Sequence, residues 1–346
     1  MDLAKTFSLA ARRRLCAPYK LTFSVTDRCN MSCSHCGIWR KKPENELNSD
    51  EIREFFALNR GFRWIDITGG EPFLRDDIVE IFEAILNTQA HLALLHFPTN
   101  GWHTDGIVEC AKWIKKKFAG KFVVTVSLDG DKETHERVRG KPGSWEKAVE
   151  TLLKLRSERV ETYFGFTFTN ENLFSFEKAI ASARAMDNRL RAADFHLNIQ
   201  NISPHYFNNT DMVRINRRET AGALKRAAAK RGIPFTAMEI LEHQYLKKAC
   251  SFLMRTDGAE EDELPACEAG RSSLFVNPQG IVYPCHIFDM PVLSLRKSGF
   301  RLTGNGEMKE ALALIDQKKC PECWTPCEAY QSIFAFIFRK ISGCNV

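Results

Sequence analysis

The sequence predicts a parallel α/β barrel, and three observations point there. Six apolar, β-rich runs recur at 19–26, 63–68, 92–99, 121–128, 161–169 and 194–202. Amphipathic stretches at 49–59, 76–86, 105–118, 145–157 and 175–186 lie between them. Each strand follows the last by roughly thirty to forty-five residues, room for one helical crossover. Six such units predict a partial (β/α)6 barrel, TIM-like, with helices outside and the working sites at the C-terminal ends of the strands.

The elements follow in order. Tyr19-Lys20-Leu21-Thr22-Phe23-Ser24-Val25-Thr26 alternates with the period of a strand. Ser49 with Glu51, and Ser144 ahead of Trp145, mark helix starts. Beyond the sixth strand, 203–216 is polar and turn-rich, and 217–231 and 237–255 read as helices. The acidic run 257–263 is the best domain boundary. Residues 273–283 read as a hairpin around Asn277-Pro278-Gln279-Gly280. The apolar run at 333–338 predicts a buried terminal helix, with membrane-surface contact as the alternative. The expected organisation is therefore a basic extension (1–18), the barrel (19–216), a helical connector (217–256) and a small cysteine-rich hairpin-plus-helix domain (257–346).

The 346 residues are 44% hydrophobic and 27% charged, the balance of an ordinary globular protein. Net charge is +6, and Lys5, Arg12, Arg13, Arg14 and Lys20 face Asp2 alone in the first twenty residues. A basic arm can meet nucleic acid, acidic lipid or an acidic redox partner, or can pack as a solvated helix. Twelve cysteines without a secretory signal point to metal in a reducing, cytoplasmic setting and not to disulfides. No run of about twenty apolar residues is present to span a bilayer.

Cys29, Cys33 and Cys36 stand within one short loop just after the first strand. Three thiolates can hold three irons of a four-iron, four-sulfur cluster and leave the fourth iron open to a ligand. Zinc is the other reading, with His35 as a fourth ligand. The spacing Cys-x3-Cys-x2-Cys, followed by Gly69-Gly70-Glu71-Pro72 at the second strand's end, resembles the radical S-adenosylmethionine (SAM) superfamily. The resemblance implies an open iron that chelates SAM. One electron then cleaves SAM to methionine and a 5′-deoxyadenosyl radical that abstracts hydrogen from a substrate. It also implies a flavodoxin- or ferredoxin-type reductant.

Further SAM contacts follow from the same resemblance. Gly69, Gly70, Glu71 and Pro72 would meet the SAM amino group, and His35 would stand beside the adenine. Ser127 and Asp129 would meet the ribose or carboxylate region, and Arg139 would pair the carboxylate. Asn100 would line the pocket. Asn198 and Gln200 share a face of the sixth strand and can point to the substrate or be satisfied in the core.

Six cysteines lie beyond residue 264. Cys267, Gly280 and Cys285 in the pattern Cys-x12-Gly-x4-Cys resemble the opening of the SPASM domain and its shortened relative, the twitch domain. The run Cys320, Cys323, Cys327 departs from the full two-cluster pattern. The simplest accounting is one auxiliary four-iron cluster on Cys267, Cys285, Cys320 and Cys323, with Cys327 as a substitute ligand, Cys344 left over and zinc as the alternative. Cys16, Cys110 and Cys250 read as ordinary buried thiols. His286 stands where sulfatase-maturing relatives carry an acidic base, and histidine can act as a base near neutral pH.

The leading expectation is a radical SAM oxidase or bond-forming enzyme acting on a small molecule, a sugar or lipid precursor, or a peptide. An RNA-modifying enzyme ranks below it, because no basic stripe with interleaved aromatics is evident. A non-catalytic zinc or electron-transfer protein ranks third.

Overall fold

The structure, a computed structural model, describes residues 18–255, 264–304 and 306–342. All six expected strands form: β1 (Lys20–Ser24), β2 (Trp64–Thr68), β3 (Leu94–Thr99), β4 (Lys121–Ser127), β5 (Glu161–Phe168) and β6 (Phe195–Ile199). Each pairs in parallel with the next. The crossovers carry α1 (Ser49–Leu58), α2 (Ile78–Thr88), α3 (Thr104–Lys117), α4 (Lys132–Arg139), α5 (Ser144–Ser157) and α6 (Phe176–Met186).

Alternation explains how the strands are held. Along β5, Thr162, Phe164, Phe166 and Phe168 are buried, and the residues between them are half-buried. Phe164 meets Phe195 at 5.0 Å between ring centres, and Phe166 meets Phe176 of α6 edge-on at 5.3 Å. Such contacts add to the area term of aromatic burial. Asn48, and not Ser49, caps α1: Asn48 Oδ1 accepts from Glu51 N at 2.9 Å, and the Glu51 carboxylate accepts from Asn48 N at 3.0 Å. Ser144 is the first residue of α5, after Gly143.

The sheet continues beyond β1. Strand β7 (Ser273–Val276) pairs in parallel with β1, and β8 (Ile281–Tyr283) and β9 (Leu293–Ser294) follow antiparallel. The order is β6-β5-β4-β3-β2-β1-β7-β8-β9, so the cysteine-rich hairpin extends the barrel wall. Helices α7 (Arg217–Lys230), α8 (Ala237–Met254), α9 (Gly306–Asp316) and α10 (Pro326–Ser342) complete the α-helices of the described residues. The basic arm before residue 18, the whole acidic run, Cys16 and Cys344 lie outside the described residues. Among the described residues, no helix is long and apolar enough to cross a membrane.

Glu242 ties α8 to the barrel. Its carboxylate accepts from Leu197 N at 3.1 Å, from His196 Nδ1 at 3.3 Å and from the Tyr330 hydroxyl. Burial pushes its pKa up, but His196, Arg231 and the Tyr330 hydroxyl more than offset this and hold it near 2, giving a value of about 2. A carboxylate so depressed stabilises the fold above its unfolded value of about 4.3, and that stabilisation is lost as pH falls toward the folded value. Glu242→Ala should cost about 3 kcal/mol at neutral pH. Urea melts between roughly pH 4.5 and 2 should show a flatter acid loss in the variant than in the parent.

Candidate active site

The loop after β1 carries Cys29, Cys33 and Cys36 and is clamped from three sides. The end of β2 donates Gly70 N to Thr26 O and Glu71 N to Arg28 O, each at 2.8 Å. The last carbonyls of α4, which a helix leaves unpaired, accept from the loop: Arg139 O from Ser32 N at 3.1 Å and Val138 O from Ser34 N at 2.9 Å. Gly37 N donates to Phe207 O at 2.7 Å. Glycine is required where these segments touch: a Cβ on Gly70 would lie 2.1 Å from Arg28 O, and one on Gly140 would lie 2.3 Å from Ser32 Oγ.

All three thiols are free and line one cavity of about 360 Å³. Burial pushes Cys29 up to about 11 and Cys36 up to about 12, so metal binding must displace protons. Among the described residues, no three His, Cys, Asp or Glu side chains converge as ligands of a single ion would. Thiolates that hold separate irons of a cluster stand farther apart. The loop fits such a group by its donor chemistry and by its shared cavity.

Around the cysteines, Gly69, Gly70, Glu71, Asn100, Ser127, Arg139 and His35 all line the cavity. Glu71 is buried and accepts from Thr99 Oγ1 at 2.8 Å, Asn100 N at 2.7 Å and Phe73 N at 3.3 Å. Burial lifts its pKa to about 7 against those bonds. Asn100 Nδ2 donates to Asn30 Oδ1 at 2.7 Å, tying β3 to the cysteine loop. His35 Nδ1 is buried without a hydrogen-bond partner, and burial pushes the imidazole down to about 4.

Two expected contacts are placed differently. Pro72 opens a short 3-10 turn and is absent from the cavity wall. Asp129 is fully buried behind that wall, where Arg139 Nε and Nη2 both meet its Oδ2 at 2.6 Å and Thr167 N donates to Oδ1 at 2.8 Å. Burial works against the Asp129 carboxylate, but Arg139 outweighs it and holds the pKa low. Arg139 in turn donates Nη1 to Cys33 Sγ at 3.7 Å. Asp129 is thus the support that aims Arg139 at the cysteine loop. Asn198 lines the cavity, while Gln200 donates to Val213 O at 3.1 Å outside it.

A polar network deeper in the barrel was not expected from the sequence. Lys20, fully buried, pairs with Asp66 at 3.2 Å, and Trp64 Nε1 donates to Asp66 at 2.7 Å. His96 Nδ1 meets Asp66 at 3.1 Å and His96 Nε2 meets Thr125 Oγ1 at 2.9 Å, so one chain of contacts crosses β1 to β4. Lys20 also donates to the Cys327 carbonyl. These polar residues occupy alternate positions of strands whose other positions are apolar, but which of them meet is set by strand register.

Cys267, Cys285, Cys320 and Cys323 gather around Ala269, Ile287 and Ile315 beside the β7–β8 hairpin. Ile287 N and Phe288 N point at Cys285 Sγ at 3.4 and 3.3 Å, the donors a thiolate ligand uses. Burial pushes Cys267 up to about 12. Cys320 and Cys323 lie in a loop, and α10 starts only at Pro326, a residue favoured at a first helical position. Cys327 lies in that helix and lines the barrel cavity, apart from the four. Phe207 both lines the cavity and packs against the four-cysteine group. His286 also lines the cavity, where burial pushes its imidazole down to about 3. Cys110 is buried and Cys250 half-buried, both free.

Fold and site together define an enzyme that builds a radical generator at the C-terminal mouth of a partial barrel. Residues 23–183 match the radical SAM superfamily, so the chain carries a radical SAM domain. Members use a four-iron, four-sulfur cluster and SAM. The chain is 27% identical over 308 residues to the AdoMet-dependent heme synthase of Methanosarcina barkeri, covering 82% of this chain and 81% of that protein. It is 25% identical to the antilisterial bacteriocin subtilosin biosynthesis protein AlbA of Bacillus subtilis, over 78% of this chain but only 55% of that protein. Native anSMEcpe with bound AdoMet and Kp18Cys peptide has a similar fold, with a TM-score of 0.59 and 15% identity over 94% of this chain and 97% of the other.

Proposed function

We propose that this enzyme abstracts hydrogen from a small-molecule or peptide substrate held in the barrel, and that the outcome is net oxidation or bond formation. Cys29, Cys33 and Cys36 would hold the SAM-binding cluster, and Cys267, Cys285, Cys320 and Cys323 an auxiliary one. When bound, these groups and SAM supply a 5′-deoxyadenosyl radical and a second one-electron centre. The supporting observation is that Phe207 lines the cavity and also packs against the four-cysteine group, so a substrate beside it would lie one side chain from a second redox site. The residues of the chain do the rest. Glu71 and Asn100 fix the cysteine loop, Arg139 presents a cation beside Cys33, and Asp66 orients His96 toward the substrate space.

Anaerobic reconstitution should load about eight irons per chain, two four-iron groups. Cys267→Ala or Cys323→Ala should lower this to about four and spare 5′-deoxyadenosine release from SAM under dithionite, while impairing substrate turnover. Loss of SAM cleavage equal to that of the Cys29 variants would contradict the division of roles.

A further inference from the structure

The turn between α7 and α8 presents Phe235, 85% exposed, beside Ile233 at 76% and Ile240 at 50%. The turn is built and not frayed. Gly232, at φ +77, follows the end of α7, and Thr236 caps α8. Thr236 Oγ1 accepts from Glu239 N at 3.2 Å, and the Glu239 carboxylate accepts from Thr236 N at 3.2 Å and from Phe235 N at 2.8 Å. The backbone is therefore fixed while two large apolar side chains face water, an arrangement that costs free energy until something covers them.

The helix leading into the turn is strongly basic. Arg217, Arg218, Lys225, Arg226 and Lys230, with Arg231 just beyond, face Glu219 alone on the same segment. Arg218, Lys225, Arg226 and Lys230 are exposed, on the side away from the buried Thr220, Ala221, Ala223, Leu224 and Ala227. The helix spans about 21 Å and ends at the apolar tip.

We propose that α7 and this tip form a docking surface for an anionic lipid bilayer. The tip would enter the acyl boundary and the basic side chains would lie at headgroup level, the layering that amphipathic membrane-surface elements use. Charge complementarity selects anionic lipid, and a projecting apolar pair on a convex turn suits a deformable surface better than a rigid protein face. Met238, between Phe235 and Ile240, lines the cavity together with Leu94 and Lys121, the first residues of β3 and β4. The docked surface thus borders the end of the cavity away from the cysteine loop.

The test is co-sedimentation of the reconstituted full chain with sucrose-loaded vesicles. Vesicles with about 30% phosphatidylserine should pellet the protein at about 0.1 M salt, pure phosphatidylcholine should not, and about 0.5 M salt should release it. The double variant Ile233→Ser/Phe235→Ser should lose binding at least about tenfold, with SAM cleavage and thermal stability unchanged. Failure to bind anionic vesicles overturns the proposal. So does binding that survives the double variant, which would move the contact to another basic segment. Retention on an acidic electron-transfer protein, lost in the double variant without any vesicle binding, would also overturn it in favour of a protein partner. Because SAM cleavage is read separately, none of these outcomes bears on the radical chemistry.

Discussion

Replacing Cys29, Cys33 or Cys36 by alanine is expected to abolish reductive SAM cleavage, leaving only the background of dithionite and SAM alone. Each thiol has its own place on a loop pinned by β2, α4 and the Phe207 segment, so no neighbouring cysteine is positioned to substitute. Among the described residues, the remaining cysteine of the cavity wall, Cys327, sits on α10, where its carbonyl accepts from Lys20. Loss of one iron ligand leaves the cluster without a third anchor. The fold should survive, since the loop's backbone bonds do not use the thiols. Iron should fall by about four per chain, and 5′-deoxyadenosine measured by chromatography should fall to the reagent blank. Persistence of cleavage in any of the three variants would show that the open iron lies elsewhere.

Asp129→Ala is expected to destabilise the protein by about 3–5 kcal/mol, the usual cost of removing one partner from a buried ion pair. Asp129 is fully buried, and it carries both the Arg139 guanidinium and Thr167 N. Its removal leaves the Arg139 charge buried beside Cys33 without a carboxylate. Asp129→Asn should cost less, because the amide oxygen still accepts from Thr167 N. Arg139→Leu on the Asp129→Ala background should restore part of the loss, a coupling that urea melts of the four proteins in a double-mutant cycle would measure. Simple additivity of the two substitutions would contradict the pairing.

Much of the barrel is legible in the sequence because its strands obey a period of two and its crossovers a period near four. Helix α4 escaped that reading because its buried residues are largely polar or charged: Thr134, His135 and Arg139 beside Val138. That same helix supplies Arg139 and two of the carbonyls that clamp the cysteine loop, so its absence from the pattern hid a main support of the site. The cysteine motifs were legible through spacing, which a loop preserves locally. The Lys20–Asp66–His96–Thr125 chain was not, since its members lie on four strands and only register brings them together. Asp129 and Arg139 were both visible as residues of interest. Their pairing with each other is a tertiary fact, and it turns Asp129 from a ligand contact into a support. The separation of Cys327 from Cys267, Cys285, Cys320 and Cys323 likewise depends on where α10 begins, three residues past Cys323.

The most direct measurement is SAM cleavage by the unaltered chain, reconstituted anaerobically with iron and sulfide and reduced with dithionite. Methionine and 5′-deoxyadenosine should form in equal amounts, dependent on both iron loading and reductant. A chain that binds zinc without iron, or a fully iron-loaded chain that leaves SAM intact, would contradict this expectation.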